Sequence, residues 1–460
     1  MMVLLQMRRP DHRPKNHLKW TKSLFLFALL IEIAHLDYPR QLYAQLSSGG
    51  QVPPPMYFNA MTFLNEGDYG DALQIFDSCY RSAMRFGTRR FMDSVCYLAM
   101  MGECYYHMGQ YDKAYENYTA AVELALSYPT WLQQVTLPPT GPTPLSSAVN
   151  RPVPWGQRTR NTALAQLPST GLYTYAQIIV DPKLQEQGAI VPQEARSINV
   201  AEVIRCTALA LRRRQELLGP LCLADPLSRA AAGVFSAQYT LPNHWSQCWG
   251  DLLGGISAVA DGRTNTAIPL LTRATTASGK FEHQLSAVAL IELSKLALAR
   301  ADYTAARTFL LEASCDAFYY GDASLLEEAF RLLSVAHLVS RSQEVDPTVL
   351  QALAWAKTKR LSQLQASLDL MVAEQALAAG NVAAAITALD DAHSVISRRQ
   401  MANGRLGVKL AYLRAAALLR SDAVGQGETA LNALLASIHR CSLWLFQLNR
   451  LSRVYGSGQI

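Results

Sequence analysis

The most regular pattern in the chain is a run of small and aromatic residues between Val95 and Ala125. Small residues recur there at helical spacing, and a tyrosine stands between each small residue and the next. Glycine and alanine let two antiparallel helices approach closely, whereas aromatic rings fill the space between one helix pair and the next. The pattern therefore predicts a helical hairpin. Its members are Gly102, Tyr105, Gly109, Tyr111, Ala114, Tyr118 and Ala121.

The same pattern recurs elsewhere, which predicts an array of hairpins. Copies are centred on Gly67, Gly262, Ala301 and Gly380. Gly262 and Ala301 are 39 residues apart, whereas Ala301 and Gly380 are 79 apart, so a degenerate hairpin is expected between the last two. Its helices are predicted at residues 325–339 and 347–359, and those of another pair at residues 199–219 and 225–238.

The hairpin at residues 95–125 resembles the tetratricopeptide repeat (TPR), whose pattern runs Leu-Gly-x-x-Tyr, then Gly-x-Tyr, then alanine, an aromatic residue and alanine. Met101 stands at the position of the leucine. The resemblance is good over residues 54–128 and looser over residues 243–438. It implies an all-α fold, a right-handed superhelix (solenoid) of roughly seven or eight stacked hairpins with negligible strand.

A proline-rich segment interrupts the array. Between Pro129 and Pro192 lie 10 of the 21 prolines, and no acidic residue occurs from Ser127 through Val180. Proline blocks helical hairpins, but tryptophans and tyrosines are unusual in a flexible linker, so an ordered, packed insertion is expected. The chain is therefore divided into residues 1–44, a leader; residues 45–128, N-terminal hairpins; residues 129–194, the insertion; and residues 195–460, a degenerate helical array.

Two helical segments, residues 286–300 and 368–379, are almost uniformly apolar, which predicts burial on both sides. In the TPR family the first helix of each hairpin lines a concave face that receives partner segments. Two alternatives would cover that face from within: the insertion, expected to lie in or across it, or an array wound tightly enough to close on itself. The partner-binding candidates implied by the resemblance are Glu103, Tyr106, His107, Leu252, Ile256, Ile291, Lys295 and Glu374.

The N-terminus has the composition of a targeting segment. A basic region precedes the apolar run Ser23 to Ala34, which predicts an export signal with cleavage close to Gln45. The protein would then be periplasmic or secreted. The alternative is an uncleaved anchor, in which residues 23–36 tether the chain to a membrane. Translation starting at Met7 instead of Met1 is compatible with both.

The net charge argues against nucleic acid as a partner. Residues 1–44 hold seven basic and three acidic side chains, which leaves 35 basic against 33 acidic in the remainder. Nucleic-acid binding normally requires a basic surface, because phosphate contacts supply most of the affinity. The run from Arg212 to Arg214 is interpreted as a solvated helix face.

Sequence patterns for catalysis or metal binding were sought and not found. The nine histidines and eight cysteines show no zinc spacing, and no nucleophile elbow or phosphate loop occurs. The GxGxxA string at residues 425–430 follows a helical run and is interpreted as a turn. The cysteines are interpreted as core residues, and the best candidate for a disulfide is Cys79 with Cys96 or Cys104.

These patterns predict a non-enzymatic scaffold that binds a protein or peptide and needs no cofactor or metal. The alternative is an enzyme or ligand-binding protein whose site is built by the insertion against the helices. The candidate residues for that alternative are Arg151, Trp155, Arg158, Arg160 and Tyr175.

Overall fold

The structure is a computed structural model and describes residues 50–86, 89–145, 152–176, 193–236, 244–340, 344–421 and 423–437. The predicted leader at residues 1–44, the cleavage position and the tether at residues 23–36 lie outside the described residues. Within those residues, the helices are all too short or too polar to cross a membrane.

The described chain is mostly helical, with sixteen α-helices. The helices predicted in the degenerate hairpin and in the pair after the insertion are both present, as α11 with α12 and α5 with α6. The bounds are α1 Pro55–Glu66, α2 Tyr69–Arg81, α3 Ser94–His107, α4 Tyr111–Leu126, α5 Val200–Leu218, α6 Pro226–Ser236, α7 Gln247–Ala260, α8 Thr264–Ala274, α9 Ser286–Ala299, α10 Tyr303–Tyr320, α11 Ala323–Val339, α12 Pro347–Lys357, α13 Ser362–Ala378, α14 Val382–Ser397, α15 Arg405–Leu419 and α16 Val424–Ser437.

Most consecutive helices pack against each other in pairs, and small residues permit the close approach. The predicted pairs α5 with α6 and α11 with α12 are exceptions, since α6 packs on α7 and α11 packs on α10 and α13. In the pair α3 and α4, a Cβ atom added to Gly102 would lie 2.5 Å from the Tyr118 ring. In the pair α7 and α8, one added to Gly255 would lie 2.7 Å from Leu271. The predicted alternation of small and aromatic or large apolar positions is therefore the contact surface of each hairpin.

The small residue on which each predicted copy was centred ends the first helix of its hairpin. Gly67 and Gly380 have φ values of +88° and +79°, in the left-handed region that favours glycine. Ala301 occupies the same position with φ +59°, although its Cβ disfavours that conformation. The turns between these paired helices therefore lie at the small residues that the sequence pattern indicated.

The insertion forms short strands, so the expectation of negligible strand is wrong there. One antiparallel sheet has the order β3, β6, β7, and a second has the order β4, β5, β8, in which β5 runs parallel to β8. Proline excludes helix but tolerates extended chain, and residues such as those of TGLYTYA favour strands. The bounds are β1 Arg85–Phe86, β2 Arg89–Arg90, β3 Val135–Thr136, β4 Thr143–Pro144, β5 Ala163–Gln166, β6 Thr170–Ala176, β7 Gln193–Asn199 and β8 Phe281–Glu282.

The described part of the insertion is packed against helices, as expected. Trp155 is buried, its ring lies 5.2 to 5.4 Å from those of Phe318, Phe330 and Trp355, and its Nε1 donates to Ser314 Oγ at 2.9 Å. These partners belong to α10, α11 and α12. The insertion was expected to cover the apolar surface of α9, but helices cover it instead. Helices α8, α10 and α11 pack on α9, and Arg212 on α5 forms an ion pair with Glu292 on α9.

The two ends of the helical array meet. Helix α13 packs against α1, and α15 packs against α3, although these helices are far apart in sequence. We call this contact, together with the loop of residues 398–404 that touches the α1–α2 turn, the seam. The alternative in which the array covers its own inner side therefore agrees with the described helices.

Ala114 and Ala306 should tolerate no larger side chain, because both are fully buried. We expect leucine at either position to lower the free energy of unfolding by about 1 to 3 kcal/mol through overpacking. Ala384 is exposed on α14 and is the control, for which Ala384→Leu should change stability by less than about 0.5 kcal/mol. Urea denaturation measures both, and equal effects at the buried and exposed positions would contradict the assigned register.

Candidate functional site

Ten charged side chains lie together where five helices converge. Every one of them is on α3, α5, α9, α11 or the first turn of α15. We call this set the central network. It contains five acidic groups, Glu103, Glu216, Glu292, Glu327 and Glu328, and five basic groups, Arg212, Arg213, Lys295, Arg331 and Arg405.

Arg212 connects three helices. Its Nε lies 2.6 Å from Glu292 Oε1 on α9, and its Nη2 lies 2.7 Å from Glu328 Oε1 on α11. Lys295 bridges the same two carboxylates at 2.8 and 3.0 Å. Two cations, Arg212 and Lys295, therefore meet two anions, Glu292 and Glu328, where α5, α9 and α11 come together.

Arg213 points the other way, towards α3. Its Nε lies 2.8 Å from Glu103 Oε1 and its Nη1 lies 2.8 Å from Glu216 Oε2. The guanidinium carbon is 4.5 Å from the centre of the Tyr106 ring, and Arg405 approaches the same ring at 5.2 Å. Tyr106 donates its hydroxyl hydrogen to Glu216 at 2.7 Å. One aromatic ring thus contacts two cations while its hydroxyl binds a carboxylate.

The interpretation of Arg212 to Arg214 as a solvated face is wrong. Each of the three arginines is only 4% exposed. Arg214 pairs with Asp225 at 2.6 Å and donates to Tyr115 at 3.0 Å. Three consecutive residues on a helix point in three directions, so this run can reach three different neighbours of α5, and carboxylates compensate each charge.

The pKa values agree with a network of ions. Burial raises the pKa of each of the five carboxyl groups, but the neighbouring guanidinium and ammonium groups more than offset burial, so all five pKa values lie below the usual value. The pKa of Glu216 falls to about 2. His107 stacks on Tyr69 nearby, and burial lowers its pKa, which keeps it neutral near pH 7. The network therefore has five positive and five negative charges.

The structure places the predicted partner-binding residues in three groups. Glu103, Tyr106 and His107 are buried in or beside the central network, and Lys295 belongs to it with its side chain 29% exposed. Glu374 lies apart on α13, paired with Lys409 at 2.6 Å. Leu252, Ile256 and Ile291 are fully buried apolar core residues. Binding through these residues stays a prediction, and six of the eight are covered by the chain itself.

Most members of the network were not predicted. The available signal was the isolated charge in an apolar helix: Glu292 and Lys295 stand in SAVALIELSKLALAR, and Glu327, Glu328 and Arg331 stand in LLEEAFRLL. A charged residue inside a segment expected to be buried on both sides needs a buried partner of opposite charge. A search for such residues would have found these five charged side chains, but it would not have shown which of them form ion pairs.

A second cluster joins the insertion to the helices. Glu282 at β8 accepts hydrogen bonds from Arg158 and from Thr162, the latter at 2.5 Å, and forms an ion pair with Arg160. Thr159 donates to Glu312 on α10 through its backbone nitrogen at 2.7 Å. Of the residues predicted for a site built by the insertion, Arg158, Arg160 and Trp155 therefore contact the helices. Arg151 and the side chain of Tyr175 lie outside the described residues.

Asp316 is the unusual member of this cluster. It is fully buried, and its Oδ1 lies 3.9 Å from Arg158 Nε, too far for a hydrogen bond. Burial raises the pKa of Asp316 well above its usual value, and the nearby Glu282 carboxylate raises it further. Two carboxylates cannot bond to each other, but a protonated Asp316 can donate to Glu282. The environment of Asp316 therefore favours its protonated form.

The described residues contain no metal-binding group of three or more His, Cys, Asp or Glu side chains. The cysteines at 79, 96, 104, 206, 222, 248 and 315 are buried free thiols, so neither predicted disulfide from Cys79 is formed in the structure. Their burial agrees with the interpretation of cysteine as a core residue. Cys441 lies outside the described residues.

No family model matches the chain, and a search of curated proteins finds no similar sequence. The resemblance to the TPR therefore depends on the residues and on the turn and hairpin geometry described above.

Removing Arg213 should test how strongly the central network is desolvated. Arg213→Met keeps the length of the side chain but leaves Glu103 and Glu216 short of a buried partner, so we expect a loss of about 3 to 5 kcal/mol in the free energy of unfolding. Arg414→Met is the matched control, because Arg414 pairs with Asp390 at 2.8 Å on the surface. It should cost less than about 1 kcal/mol. Similar losses from the two variants in urea denaturation would contradict a desolvated network.

Replacing each acid of the insertion cluster by its amide should change the free energy of unfolding by different amounts. Below about pH 4, where the carboxyl group is protonated in the folded and the unfolded chain, Asp316→Asn replaces a neutral acid by a neutral amide, and we expect stability within about 1 kcal/mol of wild type. Glu282→Gln leaves Arg158 and Arg160 without their carboxylate and should cost about 3 kcal/mol.

The pH dependence tests the same assignment. Because the pKa of Asp316 is raised in the folded chain, its contribution to stability is present below the ordinary pKa of aspartate, about 4, and is lost as the pH rises. Wild type should therefore lose stability relative to Asp316→Asn as the pH rises above about 4. A constant difference between the two proteins over that range would show that Asp316 is ionised.

Proposed function

We propose that the chain forms a right-handed, TPR-like superhelix and serves as a non-enzymatic scaffold that binds a protein or peptide. The paired helices, and the left-handed turn at the same repeat position of successive copies, support the superhelix. The basic and apolar pattern of residues 1–44 supports export or membrane association as part of the same proposal.

One observation carries the proposal: all ten charges of the central network lie on five helices, and three of these, α3, α9 and α15, are the first helices of closely packed pairs. In the TPR family these helices face the partner. The inner face of this chain is therefore highly charged, and its charges are paired with one another. A partner segment would need both acidic and basic side chains to replace those pairs, since a buried charge without a partner is costly.

Catalysis by the insertion cluster is the second candidate. It is favoured by the convergence of Arg158, Arg160, Glu282, Glu312 and Asp316 at one place. Against it, Glu282 already binds both arginines, which leaves them little capacity to bind a substrate anion. The cluster is better suited to holding the insertion on α10 than to acting on a ligand.

Site-directed photo-crosslinking tests the scaffold proposal. A benzophenone amino acid replaces Glu374 or Lys295, the two predicted residues whose side chains remain partly exposed, and Glu116 on the outer side of α4 serves as control. We expect the same partner to crosslink from both inner positions, with the adduct suppressed by excess unlabelled chain. Crosslinking from Glu116 alone would place the partner on the outer surface and contradict the proposal.

A further inference from the structure

The seam contains several polar contacts between its loop and the α1–α2 turn. Arg399, in the loop between α14 and α15, lies 2.7 Å from Asp68 and 3.0 Å from Glu66 at the α1–α2 turn. Gln400 accepts from the backbone nitrogen of Gly70 at 2.7 Å. The side chain of Arg399 is 32% exposed, so water competes for these contacts and each contributes little to stability.

The seam also has an apolar anchor. Met401 is fully buried against Gly67, where an added Cβ would lie 2.7 Å from the methionine sulfur. The left-handed φ of +88° at Gly67 and the contact with Met401 both exclude a larger residue there. Met401 therefore packs the loop of residues 398–404 against the α1–α2 turn, while Arg399 and Gln400 beside it make polar contacts that water can reach.

The inner edge of the seam is polar too. Gln363 on α13 lies 3.4 Å from His107 Nε2 on α3. Arg405, which begins α15, lies 3.0 Å from Glu327 on α11 and faces Tyr106 on α3. Separation of these helices would expose charges and amides that water can solvate, so much of the cost of burying them would be recovered on opening.

We propose that the seam is a reversible gate, which keeps the inner charged face closed in the free chain and opens it to a partner. The contacts of α13 and of the loop with α1, α2 and α3 join residues more than 250 positions apart, so opening the seam breaks no hairpin and no strand pairing. The proposal depends on the scaffold function for what enters, but opening itself can be measured without any partner.

Hydrogen–deuterium exchange of the full chain tests the gate. Arg399→Glu turns two attractions into repulsions, so we expect about tenfold faster exchange in α1, α2 and residues 398–404. The control is Arg414→Glu, which repels Asp390 between α14 and α15 but lies outside the seam. It should leave exchange at the seam unchanged. Adding Asp68→Arg to Arg399→Glu restores an ion pair and should return exchange towards the wild-type rate.

A second pair of variants opens the seam from its apolar side. Gly67→Ala and Gly321→Ala both place alanine at a left-handed turn, but a Cβ on Gly321 meets no atom within 4 Å, whereas one on Gly67 meets Met401. Faster exchange at residues 398–404 in Gly67→Ala alone would assign the effect to the seam. Circular dichroism should show that each variant remains helical.

Two results would overturn the gate. Unchanged exchange at the seam in Arg399→Glu would show that its polar contacts do not hold it closed, and loss of helix throughout the chain would make the seam part of an indivisible core. The scaffold proposal is tested separately, by the yield of crosslinking from Glu374 and Lys295. If the seam opens but that yield does not rise, the gate stands and the inner face is not the partner site.

Discussion

The burial of the Arg213 guanidinium group is the constraint on which the packing of the surrounding helices depends. A guanidinium that is only 4% exposed is tolerated only when its hydrogen bonds and charge are compensated. Glu103 fixes the distance between α3 and α5, and Glu216 continues along α5 towards Arg331 on α11. Because Arg212, Arg213, Lys295, Glu216, Glu292 and Glu328 each pair with two groups of opposite charge, a helix cannot shift by one turn without leaving several charges unpaired. The network therefore fixes the relative positions of the inner helices.

Stability and specificity come from different residues in this arrangement. Buried ion pairs gain little net free energy, because desolvation offsets most of their attraction. The favourable term comes from apolar residues such as Leu290 and Ile291 on α9, which are fully buried. These residues would allow several packings of α9, whereas Glu292 beside them has cationic partners in one packing only. The charges thus select among arrangements that the apolar surface would permit.

Local sequence determined which features were predictable. The hairpins, the buried Ala114 and the left-handed turn at Gly67 depend on residues within one repeat, so their spacing reveals them. The meeting of Arg399 with Asp68 depends on how 331 residues wind between them, which no local pattern contains. The same limit explains the error at Arg212 to Arg214: local helical periodicity assigns charges to solvent unless a distant carboxylate is known. The short strands of the insertion were not predicted, because they depend on partners elsewhere in the sequence: β5 pairs with β8, and β6 pairs with β3 and β7.

Paired charges also determine how such an inner face could recognise another chain. With equal numbers of acidic and basic groups, the central network has little net field, so it would not steer a charged partner from a distance. A partner would instead supply charged side chains that replace one member of an existing ion pair. The free energy lost with the old pair would nearly equal the free energy gained with the new pair. Discrimination would then depend on the positions of opposite charges, since a misplaced charge leaves a buried group unpaired. An inner face of this kind favours selective, reversible binding over high affinity.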